Sequence, residues 1–196
     1  MRYSADITAG ALKVTESRVI ADLLLRGIGD QEWDQYVIKE NVLQTRNPAT
    51  AARLTRLIRN RLELMDHDLW RLVRDDSSMV ATHACLAAAV KQSALLGDFL
   101  DLVVREQYRT FSPLLSKQLW EDYLEGCRGR DPDMPLWNKS TRTRLRSSVF
   151  QMLAQAGYIA DTKTLKLQPV QIAPEVIRYL QDRNESYTLR CIQVGP

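Results

Sequence analysis

The chain has 196 residues, of which 45% are hydrophobic and 26% charged, and its formal net charge at pH 7 is +3. This composition is typical of an ordinary globular protein and excludes a disordered, collagen-like or low-complexity chain. The three cysteines, Cys85, Cys127 and Cys191, are odd in number and far apart, so they do not indicate a disulfide framework.

Apolar runs in the sequence are short. The longest uninterrupted run covers residues 84–90, whereas a membrane-spanning helix needs about 18 to 20 apolar residues. The first ten residues lack the basic and then apolar pattern of a secretory signal. We therefore expect a soluble, cytoplasmic protein that does not contact a membrane.

Apolar residues at helical spacing predict helices through the first part of the chain. The predicted ranges are 15–27, 30–41, 48–64 and 66–75, and Asn47 followed by Pro48 is a strong start signal for the third. Residues 79–95 are apolar on nearly every side, which is typical of a helix at the centre of a bundle. Another helix is expected to continue to about Thr110.

The pattern breaks at Ser112-Pro113. Beyond the break we predict a helix over 116–127, a loop over 128–135, a long helix from Asn138 or Ser140 to Ala156, and a last helix over 174–184. Residues 158–172 contain the only β-like alternation and are compatible with a small hairpin. The expected fold is an all-α, compact helical bundle with two helix-turn-helix-like elements, one in an N-terminal region (1–112) and one in a C-terminal region (113–196).

Positive charge is segregated in two stretches. Residues 46–61 contain five arginines and no acidic residue, and residues 134–160 contain four basic residues and no acidic residue. Since these nine positive charges belong to a chain of net charge +3, the remaining chain has a net charge of −6. Such segregation favours binding of an anion. The alternative interpretation is that the arginines lie on ordinary solvated helix faces.

The two basic stretches also resemble each other. Residues 47–62 and 138–153 align without gaps, and Asn47, Thr50, Arg53, Leu54 and Leu62 recur as Asn138, Thr141, Arg144, Leu145 and Leu153. Each stretch is a capped helix that follows an amphipathic helix, which is the outline of a helix-turn-helix. The second link is long for a strict version of that motif.

On a helical wheel, each basic helix separates polar from apolar residues. Arginine, glutamine and serine are residue types that contact phosphates and base edges. Arg142 and Arg146 lie at the border of the apolar stripe, a position suited to a phosphate contact or to an internal ion pair. The candidate DNA-binding residues are Arg46, Arg53, Arg56, Arg59, Asn60, Lys139, Ser140, Thr141, Arg142, Arg144, Arg146, Ser147 and Gln151.

The sequence contains no recognisable catalytic pattern. No glycine-rich phosphate-binding loop is present, and no serine or cysteine nucleophile has a recognisable base partner. His83 and Cys85 are two residues apart, a spacing that does not place both on one helix face. We therefore expect a protein that is not an enzyme and has no catalytic residue, cofactor or metal site.

Several segments resemble the BrxA family of bacteriophage-exclusion (BREX) defence islands: residues 3–5, 8–12, 16–18, 20–21, 23–25, 27, 48–50, 137–141 and 156–158. The resemblance implies a small all-helical protein with helix-turn-helix elements and a positive surface that binds double-stranded DNA. It also implies a place beside a methyltransferase, ATPases and a phosphatase-like protein, in systems that methylate host DNA and block phage replication. The family supplies no established catalytic residues to carry over.

Three functional hypotheses follow. The first is a non-catalytic accessory protein that binds double-stranded DNA mainly through arginine–phosphate contacts from two helices. The second is an assembly protein whose basic faces dock onto other BREX proteins. The third is a binder of structured RNA, because arginine-rich helices also bind RNA.

Overall fold

The computed structural model describes residues 2–7 and 10–194. Thr8 and Ala9, which carry part of the N-terminal resemblance, lie outside the described residues. Within these ranges the chain is all-α, as predicted. The helices are α1 (Val14–Leu25), α2 (Asp30–Asp34), α3 (Pro48–Leu62), α4 (His67–Asp75), α5 (Ser78–Gln92), α6 (Ala94–Asp98), α7 (Arg105–Arg109), α8 (Lys117–Arg130), α9 (Lys139–Gln155), α10 (Pro174–Asp182) and α11 (Ser186–Ile192). A π-helical segment, Gln35–Lys39, continues α2, and another, Phe99–Val104, joins α6 to α7.

The two basic helices begin where their local sequences predict. The Asn47 side chain accepts a hydrogen bond from the Ala49 N–H at 2.8 Å, and Pro48 occupies the first turn. The Asn138 side chain accepts from the Thr141 N–H at 2.9 Å. Each asparagine satisfies one of the N–H groups that a helix leaves unpaired at its N-terminus. Asn138, and not Ser140, is therefore the cap of α9.

Helix α5 forms the centre of the bundle, which confirms the prediction for this segment. Every residue from His83 to Val90 is buried, and the helix packs against α1, α3, α4 and α11. It ends earlier than predicted, at Gln92, because the Ser93 side chain accepts from the Leu96 N–H and begins α6. A local polar cap thus interrupts an apolar pattern that would otherwise continue.

In the described part of the chain, no helix alone has both the length and the apolar character needed to cross a membrane. The segments Ser78–Gln92 and Ala94–Arg109 meet these two criteria only when taken together, and they are bent by 108° where they join.

The segment after α9 contains backbone pairing without regular strands. Two isolated β-bridges link Ile159 to Leu167 and Leu114 to Lys166. The backbone therefore folds back on itself in the region compatible with a hairpin, but the pairing also reaches the residues just before α8. Residues after α10 form α11; α10 packs on α4 and α5, and α11 packs on α5.

Candidate nucleic-acid interface

Helix α3 exposes three of its predicted arginines. Arg46 precedes the helix, and Arg53 and Arg56 lie on its solvent face; no described residue forms an ion pair with any of them. Asn60 is also exposed, whereas Leu54, Ile58 and Leu62 on the opposite side are buried in the core. The apolar side of the predicted wheel therefore holds α3 in place and presents three charges to solvent.

Arg59 lies on the same face, but its charge is balanced by acids. Its Nη2 lies 2.8 Å from Glu63 Oε1 and 3.6 Å from Asp30 Oδ1, and its guanidinium stacks 4.3 Å from the centre of the Trp33 ring. These groups line a groove of about 440 Å³ between α3 and the α2 segment, which Asp34 and Arg56 also line. The groove thus mixes both signs of charge.

Arg61 does not contribute to the basic surface at all. Its side chain is buried, donates from Nη1 to the Ala11 carbonyl at 2.9 Å, and donates from Nε to Gln92 Oε1 at 3.1 Å. Burial lowers the pKa of Arg61 to about 10. The charge count of residues 46–61 therefore overstates the positive charge that this helix presents to a ligand.

Helix α9 presents a face with basic and neutral polar residues. Lys139 and Arg144 are exposed and form no ion pair with any described residue. Ser140, Ser147 and Gln151 are exposed on this helix as well, whereas Thr141 is half-buried. The Ser147 hydroxyl donates to the Thr143 carbonyl at 2.9 Å, so it offers an outside ligand mainly an acceptor oxygen.

Arg142 and Arg146 point toward α8, where both donate to Glu121. Arg142 Nη2 bonds Glu121 Oε2, and Arg146 Nη1 bonds Glu121 Oε1 at 3.0 Å. All three side chains are about one-quarter exposed. Of the two roles predicted for these arginines, the structure contains the internal ion pair, which fixes α9 against α8.

The C-terminal ends of the two basic helices bond to the same N-terminal segment, residues 11–12. Arg61, near the end of α3, bonds the Ala11 carbonyl, and Gln155, at the end of α9, accepts from the Leu12 N–H at 2.9 Å.

Each basic helix follows its preceding helical segment after a link of eight residues, 40–47 and 131–138. A strict helix-turn-helix has a turn of about three to four residues. The similarity of the two segments therefore extends to their links.

Three exposed lysines lie outside the two basic stretches of the sequence and were not among the predicted candidates. Lys117 begins α8, and Lys163 and Lys166 lie in the folded-back segment after α9. Lys117 precedes the acid-free stretch 134–160, and Lys163 and Lys166 follow Asp161, which ends it, so none of the three was counted. The β-like alternation over 158–172 was the one available signal for the position of Lys163 and Lys166.

One acidic cluster has ligand atoms close enough for a metal ion. The side chains of Asp66, His67 and Asp68 lie within 4.8 Å of one another. Arg183 donates to both carboxylates. Partial burial tends to raise the pKa of Asp66, but the hydrogen bonds from Arg183 and the Asp68 N–H outweigh it and hold the pKa below its usual value. The guanidinium thus already balances this cluster.

These features define an all-helical protein with two similar, exposed basic helices. Comparison with known proteins identifies the family: the family model described as BrxA matches residues 1–184. Similar proteins include the BREX protein BrxA of Paramagnetospirillum magneticum (strain ATCC 700264 / AMB-1), with 53% identity over 99% of this chain and 98% of that protein. The BREX protein BrxA of Escherichia coli O9:H4 (strain HS) is 31% identical over 91% of this chain and 84% of that protein.

A solved structure shares the fold. The crystal structure of an uncharacterised protein from Magnetospirillum magneticum superposes with a TM-score of 0.93, at 51% identity, and each chain covers 100% of the other. The chain therefore belongs to the BrxA family.

Proposed function

We propose that this protein is a non-catalytic accessory factor of a BREX phage-defence system that binds double-stranded DNA in the cytoplasm. The observation that carries the proposal is the exposed face of α9, where Lys139 and Arg144 have no acidic partner and stand beside neutral polar side chains. Arg46, Arg53 and Arg56 provide a second set of unpaired charges at α3.

Arginine and lysine contacts with phosphates would supply most of the affinity. Each neutralised phosphate releases condensed counterions, so binding weakens as the salt concentration rises. Arg59, Arg142 and Arg146 would contribute less than their sequence positions predict, because each is engaged by an acidic side chain. Ser140, Thr141, Ser147, Gln151 and Asn60 would modulate any preference for sequence.

The dimensions of α9 also support a duplex ligand. The helix has 17 residues, which corresponds to a length of about 25 Å at 1.5 Å per residue. A helix fits the major groove of B-DNA, which is about 12 Å wide. The major groove of an RNA duplex is too deep and narrow for side chains to read. The arrangement therefore favours DNA over duplex RNA.

A second candidate function is docking of partner proteins at α3. The groove beside this helix is lined by Asp30, Asp34 and Glu63 as well as by Arg56 and Arg59. Mixed charges complement a protein surface better than a phosphate backbone, since acids repel phosphates. On this proposal, other BREX components such as the methyltransferase, an ATPase or the phosphatase-like protein are the partners to test.

The test is fluorescence anisotropy with a random-sequence DNA duplex at several salt concentrations. Two double variants remove the unpaired charges of each helix: Arg53→Ala with Arg56→Ala, and Lys139→Ala with Arg144→Ala. Arg71→Ala with Arg178→Ala is the control for net charge, because it removes two exposed arginines on α4 and α10, of which Arg71 is paired with Asp68. A competing RNA duplex of the same sequence tests the choice of nucleic acid.

We expect the wild-type log–log salt slope to be about −0.9 per neutralised phosphate, and each double variant to make the slope less steep by about 1.8. The control should leave the slope unchanged. Absence of binding at ~50 mM salt, or binding that is indifferent to both double variants, would contradict the proposal. Loss of partner pull-down in the α3 variant alone, with DNA binding intact, would support the docking role of that helix.

A further inference from the structure

The backbone around α8 and α9 forms a small paired unit. The Leu115 N–H donates to the Leu165 carbonyl at 2.9 Å, and the Leu167 N–H donates to the Pro113 carbonyl at 3.1 Å. On the other side, the Ala160 N–H donates to the Lys166 carbonyl at 2.8 Å. Residues 165–168 therefore lie between 113–115 and 158–160. In chain order, one paired segment is followed by two helices and then by two more paired segments.

The turn between the last two paired segments is held by Asp161. Its carboxylate accepts from the N–H groups of Lys163 and Thr164 at 2.7 and 2.8 Å, and from the Thr164 hydroxyl at 2.8 Å. The hydrogen bonds from Thr164 and Lys163 hold the pKa of Asp161 below its usual value. The Asp161 carboxylate is thus occupied by hydrogen bonds from its own turn, and the Lys163 side chain is exposed at the tip.

The base of the turn is also fixed. The Tyr108 hydroxyl, from α7, donates to the Gln168 carbonyl and also lies 3.2 Å from the Tyr158 carbonyl; these two residues lie on the two paired segments. Tyr158 itself is fully buried, and its hydroxyl donates to the Ile192 carbonyl at 2.6 Å. The turn is therefore anchored to the helical body at one end and closed by Asp161 at the other.

The turn lies beside the exposed face of α9. Thr162 shares a surface depression of about 330 Å³ with Lys117, Ser147 and Gln151. Lys117, Lys163 and Lys166 are exposed and form no ion pair with any described residue. The depression thus joins three elements that each present a lysine or a polar side chain: the start of α8, the face of α9 and the turn.

We propose that residues 158–168 form a wing, and that Lys163 and Lys166, together with Lys117, contact the phosphates bordering the groove that α9 enters. The inference rests on the proposed DNA-binding function and assigns three further contact residues to it. The wing gives α9 a fixed orientation, because contacts on both sides of a groove allow only one placement of the helix. This proposal also assigns the main duplex interface to α9.

The first measurement compares the salt dependence of duplex binding in two double variants. The wing variant combines Lys163→Ala and Lys166→Ala, and the control combines Arg71→Ala and Arg178→Ala. We expect the wing variant to weaken binding uniformly across duplex sequences and to make the slope less steep by about 1.8, while the control changes nothing. Lys163→Glu alone, at the tip and outside the bridges, should lower the affinity as well. It provides a test that does not alter the paired segments, and thermal unfolding verifies that each variant folds.

The second measurement locates the wing on the DNA. The native cysteines are all buried, so Lys163→Cys can carry a thiol-linked photo-crosslinker, with Arg178→Cys as its control. We expect crosslinks to duplex DNA from position 163 and none from position 178. A folded wing variant that binds with an unchanged slope, or a labelled position 163 that forms no crosslink while the protein binds DNA, overturns the wing. If the wild-type protein binds no duplex, the proposed function itself fails and the wing fails with it.

Discussion

Helices α3 and α9 have similar sequences but different electrostatic surroundings. Both are capped by asparagine, and both carry an arginine six residues after the cap, Arg53 and Arg144, that remains exposed. Around α3, Asp30 and Asp34 of α2 and Glu63, the residue just after α3, share a groove with the arginines. Beside α9, Glu121 forms ion pairs with both Arg142 and Arg146, and the basic residues on the solvent face of α9 remain without an acidic partner among the described residues. A repeated sequence pattern therefore does not ensure a repeated surface, because the neighbouring elements determine which charges remain available.

The difference has a functional consequence. A face that combines unpaired cations with neutral polar side chains attracts a polyanion, whereas a groove of alternating charge is selective for a surface of complementary pattern. On the proposed function, the α9 side binds nucleic acid, and the α3 side is a candidate for either nucleic acid or a protein partner. The variants described below change one helix at a time, which separates these roles.

The largest expected effect concerns the anchoring of each helix. Trp120 of α8 is fully buried and packs edge-on against Phe99, with ring centres 5.0 Å apart. Trp33 of α2 is 6% exposed and lines the open groove beside α3. Removing a buried tryptophan side chain costs about 3–5 kcal/mol of stability. We expect Trp120→Ala to lie at the upper end of this range and Trp33→Ala at the lower end, because solvent already reaches the groove.

Urea unfolding followed by circular dichroism measures both variants. An equal or larger loss for Trp33→Ala would show that α2 is anchored as firmly as α8, and that the two regions do not differ in this respect.

The next effect concerns the acid that balances α9. Glu121→Gln releases Arg142 and Arg146, so we expect the salt slope of duplex binding to become steeper by up to about 1.8, since two more arginines can contact phosphates. Stability should fall by no more than about 1 kcal/mol, because the pair is partly exposed. Asp30→Asn is the matched change at α3. Asp30 is 94% exposed and lies 3.6 Å from an arginine that also pairs with Glu63, so its removal should change little.

Anisotropy titrations with the two neutralising variants measure this difference. Equal steepening in both would mean that the acids near α3 suppress DNA binding as strongly as Glu121 does, and the contrast between the helices would be lost.

The smallest expected effect is a pH dependence of stability from His83, which lies on α5 beside the end of α9. His83 Nδ1 accepts from the Ala173 N–H at 3.1 Å, and burial lowers the pKa of His83 below 6.5 although the Ala156 backbone opposes the shift. In the unfolded chain the imidazole binds a proton as the pH falls below about 6.5, whereas in the folded chain it does so only at lower pH. The stability contribution of neutral His83 is therefore complete above that pH and decreases as the pH falls toward the folded pKa.

Unfolding midpoints between about pH 5.5 and 7.5 cover the start of this decrease. His83→Gln should remove that part of the pH dependence, and His67→Gln, a change at an exposed histidine, should retain it. If His83→Gln retains the wild-type pH dependence, another group is responsible.

Local signals in the sequence predicted the helices well. Caps and apolar spacing act within a few residues, so Asn47, Pro48 and Asn138 marked helix starts that the structure contains. The uniformly apolar residues 79–95 likewise predicted the central helix, although Ser93 divides that stretch. The π-helical segments were not predicted, because no simple local residue pattern distinguishes them from an α-helix.

The candidate interface was predicted only in part. The wheels placed the polar face of each basic helix on the exposed side, because burial of the leucines on the other side leaves no alternative. They could not show which arginines had acidic partners. Glu121 is 21 and 25 residues from the arginines it binds, and Arg61 reaches a carbonyl 50 residues away. Lys163 and Lys166 were missed because the turn meets α9 only in the folded chain.

The sequence by itself determined the helical class, the central buried helix and the segregation of positive charge into two stretches. These properties depend on side-chain type and on spacing within one helix. Only the tertiary structure decided that Arg59, Arg142 and Arg146 are balanced, that Arg61 is buried, and that a lysine-bearing turn lies beside α9. The reason is physical: the free energy of a charge depends on the groups within a few ångströms, and the fold brings those groups from distant parts of the chain.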